Sequence, residues 1–219
     1  MLGWILWLAP SLIARLIPTT IGLLNIKVLK SNEKALIYLF IYDIIGILIG
    51  AILVYLYRNN ILMTHLYAIA EVTFLSIFFK AYLQNEGAKR VLNWFPVVFA
   101  LVFIPVTFFV IGYENDNPAE SATQYLFSIT MGSLAMGSLM GKDENLIHQG
   151  HFWIVLGIVT FNLLNIGYMT MSAWLISSNS SLTMGLHSVL QYSFYASNLL
   201  FALGFWLIAK ERKIVANND

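Results

Sequence analysis

Apolar and polar positions alternate in long blocks along this chain. Seven runs of mostly apolar residues cover approximately 2–26, 35–57, 61–83, 91–113, 122–140, 151–176 and 182–209, with ends uncertain by several residues. Between them lie short polar breaks: KVLKSNEK, RNN, QNEGAKR, ENDNPAES, GKDENLIHQG and SSNSS. A hydrocarbon layer about 30 Å thick needs about 20 apolar residues in a helix, so each run has the length of a membrane crossing. The pattern predicts an all-α, polytopic membrane protein of seven transmembrane helices. No break is long enough for a second domain, so residues 1–219 form one unit.

Composition agrees with this pattern. Of 219 residues, 59% are hydrophobic and 11% charged, against about 25% charged in ordinary soluble domains. A net charge of +1 gives no field for recruiting nucleic acid, and nucleic-acid binding is set aside. The absence of cysteine removes disulfides, thiolate nucleophiles and thiolate metal sites. The first residues lack a basic leader with a small-residue cleavage site, so they are read as a retained first helix.

The basic residues set an expected orientation, because Lys and Arg accumulate on the cytoplasmic side. Lys27, Lys30, Lys34, Lys80, Lys89, Arg90, Lys142, Lys210, Arg212 and Lys213 flank alternate breaks or the tail, whereas the other side has only Arg58. The N-terminus is therefore expected outside and the C-terminus in the cytoplasm, in a multi-pass protein of a bacterial inner membrane. Trp4, Trp7 and Trp174 fall at outer helix ends and Trp94, Trp153 and Trp206 at inner ends, as interfacial belts would.

Three charges remain within the apolar runs: Arg15, Asp43 and Glu71. The others are placed in loops, tails or helix ends from which a side chain reaches the interface. A charge at a helix centre costs about 2.5–3.5 kcal/mol on insertion scales, so each of the three should face the bundle interior. Residue counting puts them in one layer, and Arg15 is expected to pair with Asp43. Glu71 would then be protonated or hold a cationic ligand.

Polar stripes extend the layer. Helix 1 offers Ser11, Arg15 and Thr19; helix 3 Thr64, Tyr67 and Glu71; helix 6 Asn162, Asn165 and Ser172; helix 7 His187, Gln191 and Asn198. The expected ligand-binding set is Arg15, Asp43, Tyr67, Glu71, Asn162, Asn165, Gln191 and Asn198, around a chamber formed by helices 1, 2, 3, 6 and 7. Gly46 with Gly50, and the ladder Ser133, Gly137 and Gly141, offer close helix contacts. Pro18, Pro96 and Pro105 are candidate kinks.

Catalytic chemistry is not legible, and the chain does not read as an enzyme. No catalytic residue and no firm metal site are assigned; His65 with His187, and His148 with His151, are weak metal candidates. Zinc hydrolases of the ceramidase and progestin-receptor type need three clustered histidines, which here are split between the two faces. No cofactor is expected, since a covalent retinal needs a lysine inside the last helix and only Lys210 and Lys213 lie near its end.

Two resemblances follow. RNNILMTHL before helix 3 and SNSSLTMGLH before helix 7 make the halves similar to the three-plus-one-plus-three layout of SWEET-type sugar transporters, although the signature prolines of that family are not in place. HLYAIAEVTFLSIFFKAYL, HFWIVLGIVTFNLLNIGYM and LHSVLQYSFYASNLLFALGFW resemble a family of small bacterial seven-helix membrane proteins without an assigned function. The matching positions are His65, Tyr67, Glu71, Phe152, Trp153, Asn162, His187, Ser188 and Asn198. That resemblance implies the fold and no chemistry. Three functions stay open: a receptor-like or sensory protein binding a small or lipidic molecule near Glu71, with a cytoplasmic partner for its output; a proton-coupled or small-solute transporter; and a membrane-embedded lipid hydrolase.

Overall fold

In the computed structural model of the chain, the described residues are 2–57, 59–141, 145–178 and 180–218, with side chains described for 9–57, 59–141, 145–171, 185 and 187–216. Seven α-helices account for nearly all of them: α1 Leu2–Leu24, α2 Ser31–Tyr57, α3 Ile61–Lys80, α4 Glu86–Pro105, α5 Pro118–Met140, α6 Gly150–Ser178 and α7 Ser180–Asn218. There is no strand among the described residues. Among the described residues five spans, Ser31–Tyr57, Ile61–Lys80, Glu86–Ile111, Gly150–Met171 and His187–Ala216, are long and apolar enough to cross a membrane.

The helix ends follow from local chemistry. Asn85 caps α4 by accepting from the Gly87 and Ala88 amides, and Asn117 caps α5 by accepting from the Glu120 amide, with Pro118 in the first turn. Glu33 reaches back to the Lys30 amide, as the glutamate of a capping box does. Past Pro105, which lacks an amide proton, the chain widens into a π-helical turn, Val106–Ile111. Gly112, at φ 89°, ends it in a backbone region that favours glycine.

Two ends differ from the expected boundaries. α4 begins before residue 91, and α7 continues past residue 209 to Asn218, because its charged last turns have partners on other helices. The SSNSS break is almost absorbed into α6 and α7.

By contact, α1, α2, α3, α5, α6 and α7 close a ring in that order, and α4 packs outside it against α3. The apolar core fills the half of the ring nearest the basic residues. Leu36, Ile37 and Phe40 of α2 meet Leu75, Phe78 and Phe79 of α3, Leu139 of α5, Ile154 and Ile158 of α6, and Phe201 and Phe205 of α7. The tightest approach joins α6 to α7: a Cβ on Gly150 would run into the Gly204 carbonyl oxygen. Outward, Ile45, Leu48, Ile52, Val98, Leu101 and Leu199 are exposed, as a lipid-facing surface requires.

Of the two expected small-residue contacts, one forms. Gly46 faces Met63 of α3, and Gly50 faces Asn60 just before it. Ser133 and Gly137 are exposed, and a Cβ on Gly137 would meet nothing within 4 Å. The working glycine of α5 is Gly132, against Val159 and Phe79. Spacing had picked the neighbouring face.

Trp94 and Trp206 are exposed at the basic end, with Lys210 over the Trp206 ring at 5.2 Å. The side chains of Trp4, Trp7, Trp174 and Ser172 lie outside the described residues.

Candidate functional site

The half of the ring away from the basic end is polar inside. Arg15 Nε donates to Asp43 Oδ2 at 2.6 Å, joining α1 to α2 as expected. The same guanidinium lies 4.5 Å from the Phe40 ring centre and 4.9 Å from that of Phe194, which ties in α7. A guanidinium tolerates such a place because aromatic faces partly replace its water.

Glu71 is buried on α3, and Gln124 Nε2 of α5 donates to its Oε2. Arg15, Asp43 and the Asn162 amide are within electrostatic reach of Glu71, and Tyr67 is within reach of Asp43, Glu71 and Arg15. Arg15, Asp43, Tyr67, Glu71 and Asn162 therefore share one cluster, as their common layer suggested. Helix α5, absent from the expected chamber wall, enters it through Gln124. An amide one turn inside an apolar run gives a weak signal, and Gln124 was legible only as the residue four places after Glu120.

The asparagines behave alike. Asn162, Asn165 and Asn198 each donate one amide proton to the carbonyl four residues earlier, of Ile158, Phe161 and Phe194. Asn162 Oδ1 and Asn198 Oδ1 are buried without a hydrogen-bond partner, and so is Arg15 Nη1. Asn165 and Gln191 are only half-buried, and no contact places them in the cluster.

One turn farther from the core, α3 and α5 meet again. Nδ1 of His65 and Oε2 of Glu120 lie 2.6 Å apart, and Nε2 of His65 is 3.2 Å from the Asn115 carbonyl oxygen. That carbonyl can only accept, so Nε2 donates to it, and a second proton sits between ring and carboxylate on one partner or the other. Thr107 of the π-helical turn donates to Glu120 and accepts from Asn117. The π turn thus brings a hydroxyl to a carboxylate thirteen residues away.

Four expectations change here. Glu120 and Glu33 were placed at solvated helix ends, yet they are 2% and 0% exposed. His65 does not meet His187: both its ring nitrogens are engaged by Glu120 and Asn115, while His187 is exposed. The inward stripe of α7 runs through Ser193, Ser197 and Asn198, leaving His187 outside it. Thr64 is exposed and His65 takes the inward position beside it. No group of three or more potential ligating histidines or carboxylates occurs among the described residues.

A second polar cluster lies at the basic end. Glu33 Oε2 accepts from the Lys30 amide and Arg212 Nη1, both at 2.6 Å; Oε1 accepts from Arg212 Nη2 and, at 2.8 Å, from His151 Nε2. Arg212 Nη1 also donates to the Val28 carbonyl, and Lys213 to Asn25 Oδ1. The tail of α7 is thereby fastened to the α1–α2 connection. His148, the other half of the expected pair, is exposed.

Comparison of the chain with protein-family models, with curated proteins and with solved structures finds no match.

Proposed function

We propose that this is a receptor-like membrane protein that binds a small polar molecule in the Arg15–Asp43–Glu71 layer. The observation that carries the reading is the set of orphaned atoms: one donor, Arg15 Nη1, and two acceptors, Asn162 Oδ1 and Asn198 Oδ1, buried on three helices of the ring. A buried polar group without a partner costs about 1–3 kcal/mol, so a guest carrying both an acceptor and a donor gains what the fold leaves unmet. Six helices touch this layer, so occupancy would alter their packing together. The connections are too short for an output domain, and a cytoplasmic partner protein would receive the signal. The basic bias supports an outside N-terminus.

The test is to extract the protein gently from its native membrane and identify small molecules that accompany wild type and the Glu71→Gln and Asn162→Leu variants by mass spectrometry. The expected result is one compound retained by wild type and reduced at least tenfold in both variants. Equal, empty samples of equal stability would make the layer purely structural.

A second reading, proton-coupled transport, is favoured by the two successive α3–α5 pairs, His65 with Glu120 and Glu71 with Gln124. Ionisable chains inside a bundle are the usual parts of proton relays. Solute-dependent acidification of liposomes that disappears in both Glu71→Gln and Glu120→Gln would establish it.

A further inference from the structure

A cavity of about 250 Å³ opens beside the Glu33 cluster, separate from the mid-membrane layer. It lies where the start of α2, the chain just after α3, the end of α5 and the start of α6 come together, and its walls include Lys30, Glu33, Tyr82, Leu83, Leu139 and His151. All these helix ends belong to the basic end of the bundle, the level at which a lipid headgroup sits if the seven helices cross a bilayer.

The charge of its walls can be worked out from the bonds already made. Glu33 accepts four hydrogen bonds, which uses the whole capacity of a carboxylate, and Arg212 neutralises it. Its negative charge is thus spent within the wall. Lys30 adds an ammonium on a flexible stem from an exposed position. Tyr82 accepts from Asn32 at 3.1 Å, which leaves its own hydroxyl proton to give. Burial, and then the Glu33 carboxylate, push the Tyr82 phenol well above its ordinary range, so it keeps that proton. Leu83 and Leu139 supply an apolar side.

We propose that this cavity is a binding site for a phosphate group, held by Lys30 and the Tyr82 hydroxyl, with His151 in the wall and Leu83 and Leu139 against the carbon part of the ligand. Basic pockets between helices at a membrane face take phospholipid headgroups in this manner. The same chemistry accepts a free phosphate ester from solution, and the two sources are separable by experiment.

The full-length protein is purified in a neutral detergent, and its thermal unfolding is followed while phosphatidylglycerol, phosphatidylcholine or inorganic phosphate is added. Wild type is expected to gain stability from phosphatidylglycerol in a saturable way. Removing the Lys30 charge in Lys30→Gln should weaken apparent affinity about fivefold, the effect of one basic residue near a charged surface. Tyr82→Phe should weaken it as well, and Lys89→Gln, on α4 and outside the cavity wall, should not. Competition by inorganic phosphate assigns the site to soluble phosphates, and its failure beside a phosphatidylglycerol effect assigns it to lipid. Absence of stabilisation by either phosphatidylglycerol or phosphate overturns the proposal, as does an equal response in Lys30→Gln, Tyr82→Phe and wild type.

Discussion

Arg15 shows how one charge is made tolerable inside an apolar helix. Its Asp43 partner removes the net charge, Phe40 and Phe194 flank the guanidinium, and Nη1 is buried without a partner. Breaking such a pair leaves a buried charge alone, so Arg15→Met should destabilise the protein by about 3–5 kcal/mol. Unfolding in mixed detergent measures this, and the double variant Arg15→Met with Asp43→Asn should recover much of the loss. The same logic applies at the basic end, where Glu33→Gln weakens bonds to Arg212 and His151. It should cost about 1.5–3 kcal/mol, whereas Glu86→Gln, which alters one exposed i,i+3 pair, should change little. The Arg15–Asp43 pairing was legible because opposite charges within apolar runs have few other solutions. Glu33 and Glu120 were not, because a carboxylate near a helix end looks solvated until its partner is known. For Glu33 that partner is 179 residues away.

At the scale of helices, close packing is decided by glycines that spacing alone does not single out. Gly150 and Gly204 let two backbones touch, and Gly157 admits the Phe201 ring. Gly204→Val would drive a side chain into Ile154 and the Gly150 carbonyl, and should destabilise by about 1–3 kcal/mol or more, with loss of native monodispersity on a sizing column. Gly137→Ala should stay within about 0.5 kcal/mol of wild type, since nothing stands near it. Seven apolar runs of the right length gave the elements with little ambiguity. The faces they turn inward depended on single-residue phase: His65 rather than Thr64, Ser197 and Asn198 rather than His187, Gly132 rather than Ser133. In a membrane helix both faces are apolar, so the contrast that marks the buried face of a soluble helix is largely missing.

For the whole molecule, the ring divides along its length into an apolar half by the basic residues and a polar half beyond it. Orientation in the membrane is open to a direct check, since the chain contains no cysteine. Single substitutions Lys89→Cys, at a half-buried position, and Glu114→Cys, at an exposed one, should be modified by an impermeant thiol reagent from opposite sides of the membrane. The positive-inside pattern predicts that Glu114→Cys reacts in intact cells and Lys89→Cys only after permeabilisation. The reverse result would invert the protein without changing its fold. The contact of Gly150 with Gly204 has a mechanical meaning in this frame. It sits at the very start of α6, whose 29 residues extend about 40 Å away from it. Taken as a fulcrum, it sets the lever: a tilt of about 5° there would carry the distant tip of α6 through about 3.5 Å on an arm of that length. A pivot that barely stirs the packed phenylalanines would, at the other end of the rod, open a gap about as wide as a water molecule.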